Sequence, residues 1–182
     1  MLATKQIADL FTYLRVFLAV ALVYLGWAQG ESALPLAIWI MIVSWTSDSL
    51  DGPLARRSKP RAYSWIGDHD LEVDMLVSLG LLIYMTFSGF VGLFPMGLYL
   101  LLSFFVFLHF GIERSLGMLF QAPIYCSFLV ESMRLSPATG SWMIGWIIAV
   151  LVITWPRFLE DVVPGFLQGI REIRAKQKAN GR

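Results

Sequence analysis

The sequence predicts an all-α integral membrane protein built as a six-transmembrane-helix bundle. Three observations carry that expectation. The 182 residues are 57% hydrophobic and only 15% charged, a balance that soluble domains of this size rarely reach. The stretch Met75–Ile112 contains no Asp, Glu, Lys or Arg. It is too long for one crossing, since about 20 residues span the hydrocarbon core. Finally, basic residues alternate from loop to loop, as cytoplasmic and external loops do in a polytopic protein.

The elements follow in order. The first span lies near Ala8–Ala28. Lys5 before an apolar run looks like the start of a signal peptide, but Asp9 and Arg15 intrude on that pattern. A retained first span is therefore expected. The second lies near Ala33–Ala55. Ser88–Pro95 breaks the uncharged stretch with Gly and Pro, giving a third span near Asp70–Phe87 and a fourth near Leu93–Phe110. The fifth lies near Ser115–Ser132 and the sixth near Trp142–Trp155, with an earlier start left open and Pro156 following it.

Loop charge orients the bundle. Arg56, Arg57, Lys59 and Arg61 follow the second span, Arg114 follows the fourth, and the tail holds Arg157, Arg171, Arg174, Lys176, Lys178 and Arg182. The loops after the first and third spans hold no Lys or Arg, and the loop after the fifth has Arg134 alone. Both termini are thus expected in the cytoplasm. A single membrane domain covers 1–182, with its core at about 8–156 and an amphipathic basic tail at 157–182. In that tail Phe166, Ile170 and Ile173 recur at helical spacing behind Pro164, which predicts a C-terminal interfacial helix. Cys126, the only cysteine, excludes an internal disulfide and a multi-cysteine metal site. It is expected to pack as a small apolar residue, and His109 as a core residue.

The chemistry concentrates where the second span ends and the third begins. Asp48 and Asp51 are three apart and share a helix face; Asp70 and Asp74 are four apart and share another. Facing helices that each present two carboxylates form an oxygen-rich cage suited to Mg²⁺, Mn²⁺ or Ca²⁺. Without a cation those carboxylates would repel one another. Gly52 opens space for close approach to the backbone, Ala55 keeps the stripe narrow, and Arg56 has the fork geometry for phosphate. Asp48 stands about two turns inside the span, where a merely solvated loop charge has no place. Asp68 and Glu72 offer a competing register at the same spacing as Asp70 and Asp74, and His69 reads as a surface residue.

These residues resemble the signature of the CDP-alcohol phosphatidyltransferase family, DxxDGxxAR…GxxxDxxxD. The first half matches at Asp48, Asp51, Gly52, Ala55 and Arg56, and Asp70 and Asp74 keep the spacing of the second half. The family's glycine would fall at position 66, where this chain has Ile66 followed by Gly67. The run Asp9–Arg15 also looks like the family's N-terminal stretch. The resemblance implies a phospholipid-biosynthesis transferase that moves a phosphatidyl group from a CDP-lipid (CDP-diacylglycerol) to an alcohol and releases CMP. It implies Mg²⁺ or Mn²⁺ held by Asp48, Asp51, Asp70 and Asp74, with Asp74 also the catalytic base. It implies a CDP site at Asp48, Gly52, Ala55 and Arg56, and a homodimer.

A phosphorylated acceptor, such as glycerol phosphate or inositol phosphate, would need cations outside the cage, for which Arg61, Arg114, Lys59 and Arg57 are candidates. Gly111–Ser115 does not look like the Arg-Glu motif of glycerol-phosphate-type members, so the acceptor is left as a small polar alcohol. The expected setting is a bacterial cytoplasmic membrane with the site facing the cytoplasm, and no nucleic-acid partner. Two other readings stay open: a family member that has lost turnover, and a small divalent-cation transporter.

Overall fold

A computed structural model of the chain describes residues 2–57, 70–157 and 164. Among these residues every regular element is a helix: α1 (Leu2–Ala28), a 3₁₀ turn (Gly30–Ala33), α2 (Leu34–Arg57), α3 (Asp70–Phe87), α4 (Leu93–Phe110), α5 (Arg114–Leu135) and α6 (Pro137–Arg157). Segments within α1, α4, α5 and α6 are long and apolar enough to cross a membrane.

The uncharged stretch divides where its glycines and proline predict. Gly89 takes φ +78° in the turn after α3, a conformation that favours glycine. Gly92 caps α4, and Pro95 falls in the first turn, where its missing N–H costs little. The sixth helix takes the earlier start, at Pro137, and runs past Pro156 to Arg157. Proline suits a first helical position, and the chain turns straight out of α5. A Cβ on Gly140 would stand 2.9 Å from the Ser132 carbonyl oxygen, so only glycine allows so tight a corner.

The core lies among α1, α2, α3 and α5. Leu22, Ile38, Met41, Leu81, Tyr84, Met85 and Phe128 are fully buried there. α1 and α3 touch nearly backbone to backbone. A Cβ on Gly80 would lie 2.7 Å from the Ala19 carbonyl oxygen, and one on Gly26 would lie 2.9 Å from Tyr84 Cα. Small residues at such contacts are how helices associate where lipid removes the hydrophobic driving force. α6 joins through aromatic side chains: Trp45 of α2 stacks on Trp146 at 5.6 Å and meets Tyr125 of α5 edge-on at 5.3 Å. The Trp146 indole N–H donates to Thr46 Oγ1 at 2.9 Å.

α4 stands outside this core and has no buried residue. It is held by Tyr99 and Phe107, whose rings pack on Phe120, and by the Tyr99 hydroxyl, which donates to the Phe120 carbonyl. Two expectations are corrected here. His109 is exposed on α4, its ring edge-on to Phe110, and Cys126 is exposed on α5. Past Arg157 only Pro164 is described, so the expected interfacial helix lies outside the described residues.

Candidate active site

The site begins with a charge on α1. Arg15 is fully buried, at a depth where a guanidinium needs partners. The close contact of α1 with α3 at Ala19 and Gly80, one turn further along α1, brings Arg15 beside the start of α3. Its Nη1 donates to Asp74 Oδ1 at 2.5 Å and to Asp48 Oδ1 at 3.0 Å. One nitrogen therefore joins carboxylates from two helices, and Arg15 ties α1, α2 and α3 together. Asp48 keeps 44% of its side chain accessible and Asp74 27%. The pair thus opens outward while Arg15 closes the site from within.

Two buried serines on the same helices are satisfied locally. Ser47 Oγ donates to the Ser44 carbonyl, and Ser78 Oγ to the Met75 carbonyl. Both turn back on their own helices, so they do not compete for the aspartates. The wall is aromatic. Trp45 precedes Asp48 by three residues on α2, and the Tyr125 hydroxyl is within electrostatic reach of Asp74, Asp48 and Arg15. Gly117 lets α5 come up against Leu71 at the start of α3; a Cβ there would fall 2.6 Å from Leu71 Cδ1.

The sequence-predicted residues divide into three groups. Asp48 and Asp74 are brought together. Asp51, Gly52, Ala55 and Arg56 continue α2, and Asp70 opens α3, but their side chains lie outside the described residues. Arg61, Gly67, Asp68 and His69 lie wholly outside them. Arg114 is exposed at the first position of α5. Glu72 is exposed on α3, while Asp74 meets Arg15. Sequence reading missed Arg15 and Tyr125 as members of the site. The signal for Arg15 was present, because an arginine well inside an apolar span calls for a partner.

The donors present fit a hard cation in type. Two carboxylates from facing helices already converge on a positive charge, and carboxylate oxygens suit Mg²⁺ or Mn²⁺. Among the described residues no cluster of three or more His, Cys, Asp or Glu forms; a fuller cage requires Asp51 and Asp70. Comparison with known proteins adds the deciding fact. Residues 5–163 match the family described as CDP-alcohol phosphatidyltransferase. The chain belongs to that family. The match spans α1 to α6, well beyond the motif itself. No curated protein and no solved structure matches the chain. Members of the family are membrane-embedded transferases of phospholipid biosynthesis, generally dependent on a divalent metal, that use CDP-alcohol donors and alcohol acceptors.

Proposed function

We propose that this chain transfers a phosphatidyl group from CDP-diacylglycerol to a small polar alcohol and releases CMP. The observation that carries the reading is the convergence of Asp48 and Asp74, from the two halves of the motif, on one nitrogen of buried Arg15. Asp48, Asp51, Asp70 and Asp74 would hold Mg²⁺ or Mn²⁺. When bound, the metal neutralises charge developing on the leaving CMP. Gly52, Ala55 and Arg56 bind the CDP portion together with Asp48.

Asp74 takes the proton of the acceptor hydroxyl, whose oxygen attacks the phosphatidyl phosphorus as the bond to CMP breaks. Arg61 and Arg114 bind a phosphate on the acceptor, if it carries one. The exposure of Arg114 at the start of α5 is compatible with that role. The enzyme works as a homodimer with six spans per copy, in a bacterial cytoplasmic membrane, with both termini and the site on the cytoplasmic side. The alternation of basic loops supports that orientation.

The test is CMP release from CDP-diacylglycerol by purified protein with Mg²⁺ or Mn²⁺. Glycerol phosphate, inositol phosphate, inositol, serine and choline are offered singly. One acceptor should support release, and Asp74→Asn should lower it by about 100-fold or more. Folded protein that releases no CMP with any of them, and binds no CDP-lipid, would sink the reading.

A further inference from the structure

Among the described residues Arg15 is the one charged side chain that is buried. Its guanidinium cannot shed its proton to escape the cost of burial, so the positive charge inside the bundle is permanent. That charge rests on the Oδ1 atoms of Asp48 and Asp74. A divalent ion bound by those two residues would draw on the same pair of negative charges. It would also sit within a few ångströms of a like charge, which raises the cost of binding it.

We propose that Arg15 is a resident cation of the metal site. It holds Asp48 and Asp74 together when no metal is bound, and it weakens metal binding by sharing their charge. The proposal rests on reading Asp48 and Asp74 as metal ligands. Arg15 acts through those carboxylates and is a positioning residue. The sign of its effect separates the proposal from a plain structural tie. Removing a tie that only aligns ligands lowers metal affinity; removing a resident cation raises it.

Mn²⁺ binding to the purified full chain in detergent, followed by electron paramagnetic resonance of the free ion, reads that sign. Arg15→Met and Arg15→Gln remove the charge, and Arg15→Lys keeps it. The neutral variants should bind Mn²⁺ about tenfold tighter than the native chain. Added Mn²⁺ should also raise their Tm by more than it raises the native one. Arg15→Lys should stay close to native in both. A neutral variant that folds only with Mn²⁺ present also supports the proposal, since the metal then replaces the missing charge. Equal or weaker Mn²⁺ binding in the neutral variants overturns it. So does their failure to fold with or without Mn²⁺, which marks Arg15 as a structural tie. The two readings fail separately. A native chain that binds Mn²⁺ but releases no CMP removes the transferase and leaves the resident cation. Normal CMP release by the native chain, with equal Mn²⁺ binding in all variants, does the reverse.

Discussion

α1 and α4 are both apolar enough to cross a membrane, yet 39% of the α1 segment is buried and none of α4. Hydrophobicity cannot separate them, because lipid tails accept an apolar side chain as readily as a neighbouring helix does. What distinguishes α1 is its small and polar residues. Ala19 and Gly26 let α3 approach until backbone meets backbone, and Arg15 reaches across to two other helices. α4 offers leucine and phenylalanine on every side, and a Cβ on its Gly97 would meet nothing within 4 Å. In this bundle a helix becomes central through its small residues and its charge.

The sharpest way to break that comparison is a matched pair of glycine substitutions. Gly80→Ala places a Cβ 2.7 Å from the Ala19 carbonyl oxygen, and backbone cannot give way as a flexible side chain does. The expected loss is about 1–3 kcal/mol. CMP release should fall with it, because the same contact carries Arg15 to Asp74. Gly97→Ala should stay within about 0.5 kcal/mol of the native chain. Thermal unfolding of both in one detergent checks the pair. Equal losses would mean that close packing does not separate the two helices.

A smaller effect is expected where α6 meets α2. Trp146→Phe keeps a ring to stack on Trp45 but removes the N–H that donates to Thr46 Oγ1. Thr46 also donates to the Ile42 carbonyl, so its hydroxyl keeps one partner. The loss should be about 1 kcal/mol, read from the unfolding midpoint. Thr46→Val should cost a similar amount, and the double variant should cost less than the two together. Full additivity would show that the bond contributes nothing.

The sequence made some of this legible and hid the rest for identifiable reasons. The start of α4 follows directly from the glycines before it and Pro95 in its first turn. The start of α6 stayed open because Pro137–Ser141 is polar and small, and reads as loop until the tight corner at Gly140 is seen. His109 was assigned to the interior because α4, apolar nearly all round, has no polar stripe to mark its outer face, and Cys126 because its neighbours in sequence are largely apolar. In the site, the spacing within each motif half pointed to Asp48 and Asp74, which the fold brings together. That Arg15 would stand between Asp48 and Asp74 depends on pairings 33 and 59 residues apart, which no local pattern encodes. The contact of α1 with α3 creates that neighbourhood, and it lives in the packing of Ala19 on Gly80.

The smallest expected effect sharpens the comparison most for α4. Leu102 is 57% exposed, and its surroundings within a bilayer or micelle are hydrocarbon. Leu102→Ala then exchanges contact with lipid for contact with lipid, and stability should change by less than about 0.5 kcal/mol. Leu22 of α1, fully buried, provides the contrast: Leu22→Ala leaves a cavity and should cost about 2–5 kcal/mol. Unfolding midpoints measured at several protein-to-detergent ratios test both. A loss of about 2 kcal/mol for Leu102→Ala that grows as the protein is diluted would mean the outer face of α4 is covered by a second copy of the chain. α4 would then be central to the dimer while peripheral to its own bundle, and the contrast with α1 would hold within one copy only.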